Sequence, residues 1–375
     1  VAASKMECTR EVCSIPQLIE RIKQNFFEEN PYTSVLYVPT YYPDELTKQD
    51  ANNVIIYSWR PVQLDTPDKA GSPIVRDLLE LWDLNAQERL HLTHLMRQLP
   101  QLIPLINRYL LAKLTVGDRK QVTVGPWWTM HSQKTLPTNI HEQSYLFEVS
   151  PTGEELVAAI TRVVMRLQAY SLADKPVYPL SLSLNLNYFS GTSGGLSSSQ
   201  HRPGKKIGSL GLKSEVGIKG SAAFFQDCFN YFTVGLQAKP EWSRFIPHDA
   251  DMKKIYGARV KEFNDAYDAF CKVYHLPVDN MFMSGLMMHL LQRESKHPIA
   301  FNEVDDSKEK ADAPLTMAEL AFAEHLKKTL DVNIAEAHTL QTQLQTLLPK
   351  VSPNRLFTDK KIIHDEAKSH CCAVI

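Results

Sequence analysis

The stretch YPLSLSLNLNYF, Tyr178 to Phe189, restricts the fold of this chain more than any other. Leu180, Leu182, Leu184 and Leu186 alternate strictly with Ser181, Ser183, Asn185 and Asn187. A side-chain period of two belongs to a β-strand, whose successive residues point to opposite faces. One face is therefore apolar and is expected to pack on helices. The other is a row of hydroxyls and amides that looks into solvent, onto a partner or into a polar-lined cavity. A half-exposed sheet strand explains the pattern without any function. The sharper expectation is that Ser183, Asn185 and Asn187 form the floor of a binding site.

The neighbouring segments support a sheet. YTSVLYVPTYY (Tyr32 to Tyr42) and NVIIYSWR (Asn53 to Arg60) are rich in β-branched and aromatic residues, and their short separation suits antiparallel neighbours. Ser144 to Val149 reads as a further strand. Between the strands the period changes. Ser14-Ile15-Pro16 supplies an N-cap and an early proline for an amphipathic helix, placing an N-terminal helical unit within residues 1–30. Residues 73–114 are leucine-rich at helical period, interrupted by Pro100 and Pro104. Ser150-Pro-Thr-Gly-Glu-Glu opens a helix to about Leu172. Helices are also expected over 252–274, 315–330 and 334–348, and the methionine-rich run Met281 to Leu291 reads as core. Phe224 to Leu236, crowded with aromatics, is expected to be a strand. The Gly/Ser-rich segment 190–220 is expected to be a disordered insertion or a mobile lid. The order strand, helix, strand through 144–189 points to an α+β fold, a sheet backed by helices.

Composition excludes several functions. With 41 basic and 42 acidic residues the net charge is −1, so no basic excess offers a surface to nucleic acid. No apolar run reaches the ~18 residues of a membrane helix. The start, VAASKMECTREVC, is polar, without a signal-peptide core or an initiator Met, and reads as a processed or excised end. None of the six cysteines forms a CxxC pair, so no zinc site is expected, and their small number suits a reducing, cytoplasmic compartment. No HExxH, no GxxxxGK[ST] and no GxGxxG after a strand occurs. Trp127 and Trp128 adjoin a Gly-Pro turn with His131 close by. Paired indoles there can line an apolar pocket, although packing explains them equally.

Four segments carry a resemblance: YTSVLYVP from Tyr32, the strand from Tyr178, Pro240-Glu241-Trp242-Ser243, and SPNRLFT from Ser352 to Thr358. In this order they resemble the substrate-binding half of flavin-dependent cholesterol and sterol oxidases of the vanillyl-alcohol oxidase superfamily. The resemblance covers about residues 30–363, and makes 31–363 a substrate-binding domain. It implies a large antiparallel sheet with helices packed on one face, the other face covering a flavin ring. It implies FAD as cofactor and an apolar small molecule, a sterol or alcohol, as ligand. The family's FAD-binding domain comes before this half, and no flavin-binding region precedes residue 30 here. The expected function is the substrate half of an FAD-linked oxidoreductase, inactive unless a flavin domain is supplied. An ungapped match from Pro179 puts Asn185 and Asn187 where bacterial sterol oxidases carry a Glu and an Arg that face the flavin. Asparagine is neither a general base nor a charge for an oxyanion, though it can hydrogen-bond a hydroxyl. The competing expectation is a flavin-free module that holds an apolar ligand or a protein.

The ending Cys372-Ala373-Val374-Ile375 fits the C-a-a-X prenylation pattern, and Cys371 beside it is a candidate for palmitoylation. Residues 364–375 are then an exposed tail that tethers a cytoplasmic chain to membrane, as a pathogen effector does in a host cell. One prenyl chain anchors weakly, so a second lipid or a basic patch is required.

Overall fold

A computed structural model describes residues 5–30, 32–42, 44–69, 86–114, 120–126, 140–191, 205–241 and 250–277, together with 246, 291, 315, 317, 320 and 321. The described strands are β1 (Lys5–Cys13), β2 (Thr33–Tyr37), β3 (Val54–Val62), β4 (Lys120–Pro126), β5 (Ile140–Val149), β6 (Ser183–Ser190), β7 (Lys206–Glu215) and β8 (Lys239–Pro240). They form a single eight-stranded sheet in the order β4-β1-β3-β2-β6-β7-β5-β8, antiparallel throughout. The described helices are α1 (Ile15–Lys23), α2 (Phe26–Glu29), α3 (Ala86–Gln98), α4 (Ile103–Leu114), α5 (Glu154–Ser171), α6 (Ser221–Asn230), α7 (Met252–Tyr256) and α8 (Ala258–Val273). The architecture is α+β.

The strand expected over Tyr178–Phe189 is β6, which begins only at Ser183; Leu180 and Leu182 ahead of it and Leu184 and Leu186 within it are all buried. The leucine face of β6 continues through Leu210 and Leu212 of β7, Tyr145 and Phe147 of β5, and Val35 and Tyr37 of β2. Helices α1, α2, α5 and α6 cover that face. Phe27 of α2 lies 5.2 Å from the Tyr188 ring, and Phe229 of α6 is 6.4 Å from Tyr145. Leu156 of α5 comes so close to β7 that a Cβ on Gly208 would stand 2.6 Å from its Cδ2. Helix α1 opens with a capping box, Ser14 and Gln17 each bonding the other's backbone N–H, and Pro16 is in the first turn.

Three expectations are corrected. Residues 1–30 are not a helical unit alone, because β1 precedes α1 and lies inside the sheet between β3 and β4. Its charges hide it: Glu11 is bonded to Arg21 at 2.9 Å, Glu7 pairs with Arg60 at 2.6 Å, and Arg10 is buried. Residues 190–220 are not wholly an insertion or lid. Residues 206–215 are β7, an interior strand paired along its whole length with β5 and over Lys206–Lys213 with β6, while 192–204 lie outside the described residues. Residues 224–236 are not a strand. Phe224, Phe225, Cys228, Phe229 and Phe232 repeat at helical period and bury one side of α6 and the π-helical turn Tyr231–Gly235. The helical regions expected over 73–114 and 252–274 appear, from residue 86 on, as α3 and α4, separated by a 3-10 turn at Pro100–Leu102, and as α7 and α8, separated at Gly257, while 73–85 lie outside the described residues. The segments expected at 281–290 and 334–348 lie outside the described residues, as does most of 315–330.

Candidate functional site

The face of β6 opposite the leucines carries Ser183, Asn185 and Asn187. The registers set their neighbours. Asn187 lies between Ser34 of β2 and Ser209 of β7, Asn185 between Leu36 and Gly211, and Ser183 beside Lys213. Across β7, Gly211 faces Ser144 and Lys213 faces Glu142, both on β5. The three site residues expected on β6 therefore do share one face. They sit in a larger polar patch made by β6, β7 and β5.

The patch changes character along the sheet. Toward β2, β3 and β1 the same face is closed, since Leu36, Ile55, Tyr57, Val12 and Arg10 are buried. Asn185 and Asn187 are only half-buried. Among the described residues, Asn187 has no side-chain hydrogen bond, and Asn185 has one, accepted by its Oδ1 from Ser183 Oγ at 3.3 Å. Ser183 itself is fully buried. Lys213 Nζ lies 3.7 Å from Glu142 Oε1, with side chains 15% and 20% exposed, so this pair is mostly withdrawn from water.

Gly211 stands at the centre of the patch, with room for a Cβ. A Cβ there would meet Ser144 Oγ at 3.7 Å, Glu142 Oε1 at 3.8 Å and Asn185 Cβ at 3.9 Å, all ordinary contacts. The face offers a carboxylate, an ammonium, amides and hydroxyls on three adjacent strands. That set can donate and accept hydrogen bonds to a ligand oxygen.

Sequence reasoning missed Glu142, Ser144, Ser209, Gly211 and Lys213. The signal was present in KIGSLGLKSE, where Ser209, Gly211 and Lys213 alternate with Gly208, Leu210 and Leu212, but glycine and serine made the segment read as a loop. Trp127, Trp128, Cys371 and Cys372 lie outside the described residues.

Two other features compete for attention. An open groove of about 460 Å³ runs between α1 and α5, lined in part by Lys23, Glu154, Val157, Arg162 and Tyr231. It is on the outer side of the helices, away from the sheet's polar face, and Arg162 is occupied over the Tyr231 ring at 5.0 Å. The second is the buried Glu45. Its carboxylate accepts from Tyr37 Oη, from Thr40 N at 3.1 Å and Oγ1 at 2.7 Å, and from Tyr42 N at 2.9 Å. Burial raises its pKa above the ordinary carboxylate value despite those bonds. Among the described residues nothing opens onto this group, and it organises the loop after β2.

The described residues do not fit a whole dinucleotide. Helices α5 and α6 each start at a glycine with positive φ, Gly153 and Gly220, the kind of turn that can cradle phosphate. Here Ile22 and Val177 already fill those turns, each 2.5 Å from where a Cβ would stand. The glycines serve helix packing. The polar patch can lie against a flat polar ring, but the described residues offer no cradle for its pyrophosphate.

No family model matches the chain, and no curated protein matches its sequence. The fold does have solved counterparts. A solvent-stable cholesterol oxidase superposes with a TM-score of 0.57 at 12% identity, over 77% of this chain and 60% of that one. The cholesterol oxidase of Brevibacterium sterolicum superposes with a TM-score of 0.56 at 13% identity and the same coverage. At such identity the likeness is one of fold. The chain spans 60% of the length of these oxidases.

Proposed function

We propose that the chain is a ligand-holding domain built on the substrate-binding fold of FAD-linked sterol oxidases, and that the β6–β7–β5 face receives the hydroxyl end of an apolar alcohol such as a sterol. The observation that carries this is the polar patch itself. Beside the buried Ser183, Leu36 and Gly211, Asn185 and Asn187 remain half-buried, with amide hydrogens unbonded by the described residues. The likeness to cholesterol oxidases supports an oxidase-like fold. In this reading the chain binds without oxidising. Asn185 and Asn187 cannot accept a proton as a carboxylate would, and FAD would have to come from a separate domain.

The test is direct binding. A 3-hydroxysterol carried in cyclodextrin should bind the purified chain saturably at one site, with no hydrogen peroxide released. Absence of any saturable sterol binding would remove the reading. Sterol-dependent peroxide release by the purified chain would remove the claim that it binds without oxidising.

A further inference from the structure

We infer that the open groove over α5 is a second binding site, one that holds a fatty acid by its carboxylate and the adjoining tail. The site is separate from the polar face of the sheet and does not rest on the function proposed for that face. Its floor follows from the way α5 is buried. Leu156, Ala159, Ile160, Val163, Val164 and Leu167 are turned to the core. Glu154, Val157, Ala158, Thr161 and Met165 recur at three- and four-residue spacing and share the outer side. Lys23 at the end of α1 and Tyr231 stand beside that floor. The groove holds about 460 Å³, within the range of about 300–1,000 Å³ that suits a small molecule. Val157 and Ala158 are half-buried and Met165 is 53% exposed, so the floor keeps apolar surface in water.

The charges select the head group. Arg162 lies over the Tyr231 ring at 5.0 Å, which engages the flat face of the guanidinium and leaves its N–H edge for an acceptor. Among the described residues neither Arg162 nor Lys23 makes an ion pair or donates a side-chain hydrogen bond. The neighbouring Arg166, by contrast, is bonded to Asp227 at 2.8 Å. Glu154 is the carboxylate of the described lining. It stands in the first turn of α5, where the helix dipole favours negative charge, about 12 Å along the axis from Arg162. Two cations against one carboxylate leave the groove net positive. A ligand carboxylate accepts two parallel hydrogen bonds from the Arg162 edge while its alkyl tail covers Val157, Ala158 and Met165. A neutral alcohol gains the same apolar contact and forgoes the charge-assisted bonds. An alkylammonium gains neither and meets two like charges.

The experiment is isothermal titration of the purified chain with decanoate, 1-decanol and decyltrimethylammonium, on the wild type, Arg162→Gln and Met165→Glu. Arg162 and Met165 are both exposed, so neither change should disturb the fold, which thermal melts would verify. Decanoate should bind the wild type saturably at one site, about tenfold or more tighter than decanol, with the ammonium weakest. Arg162→Gln should lower the decanoate affinity about tenfold and leave that of decanol within about twofold. Met165→Glu puts a carboxylate beside the tail and removes apolar surface, so it too should weaken decanoate. Binding of a 3-hydroxysterol should be the same in all three proteins. Absence of saturable decanoate binding, equal affinity for decanoate and decanol, or a decanoate affinity unchanged in both variants overturns the assignment and leaves the sterol reading untouched. A sterol affinity that falls together with that of decanoate in both variants overturns the separation of the two sites.

Discussion

Glu45 shows how one side chain organises a loop. Four donors from Tyr37, Thr40 and Tyr42 converge on a carboxylate that is 1% exposed. Next to it Tyr41 takes a left-handed φ of 56°, and its hydroxyl donates to Leu180 O at 2.8 Å and accepts from Leu180 N at 3.1 Å. That bond pins the loop to the approach of β6. Because burial raises the folded pKa above the ordinary 4.5, the native state holds the Glu45 proton to higher pH than the unfolded chain does. The resulting stabilisation is full below the unfolded value and is lost as pH rises through the folded one. Urea melts of the wild type and Glu45→Gln, which cannot titrate, should show the wild type losing stability relative to the variant as pH rises above 4.5. A constant difference would contradict the account. The two glycines of β7 make a second contrast. Gly208→Ala should destabilise by about 1–3 kcal/mol, since its Cβ would strike Leu156, Phe147 and Val149. Gly211→Ala should cost far less in the same melts, because its Cβ would meet only ordinary contacts.

Strand β6 has two unlike faces, and stability should register the difference. Leu184 is buried against the helices, so Leu184→Ala should cost about 2–5 kcal/mol. Asn187 is half-buried and its side chain has no hydrogen bond among the described residues, so Asn187→Ala should stay within about 0.5 kcal/mol. Equal, large losses would mean that the polar face is sealed. This asymmetry could be read from the sequence because one face of β6 is wholly aliphatic and the other wholly polar. Strand β1 could not, because its charges have partners, Arg21 for Glu11 and Arg60 for Glu7, that adjoin only after folding. Helix α6 was misread because aromatic content suggests a strand, whereas the spacing of Phe225, Cys228, Phe229 and Phe232 is helical. Half of the candidate site was visible in the same way. Asn185 and Asn187 stand on a single alternating strand. The Glu142–Lys213 pair joins two strands far apart in sequence and needs the β5–β7 register to be seen.

The sheet order puts the polar patch near one end, on β6, β7 and β5, while β1, β3 and β2 carry the buried Arg10, Val12, Ile55, Tyr57 and Leu36 on the same face. A fold shared with cholesterol oxidases at 12% and 13% identity preserves this architecture, whatever its side chains now do. With no phosphate cradle among the described residues, the purified chain should be colourless; a flavin absorbance band in proportion to protein would contradict this. No described helix is long and apolar enough to cross a membrane. The Cys372-Ala373-Val374-Ile375 ending nevertheless supports a lipid tether as a proposal, one that would bring a sterol-holding domain to its ligand. In eukaryotic cells Cys372→Ser should move the chain from membrane to soluble fractions, with the loss of a prenyl mass. Equal fractionation and equal mass would exclude the tether. The decisive measurement is where a ligand lies. A sterol carrying a photoreactive group beside its hydroxyl, crosslinked to the chain and mapped by peptide mass spectrometry, should label β6, β7 and β5, around Asn185, Gly211 and Glu142. Labelling confined to the groove between α1 and α5, with none on those strands, would contradict the assignment of the polar face as the binding site.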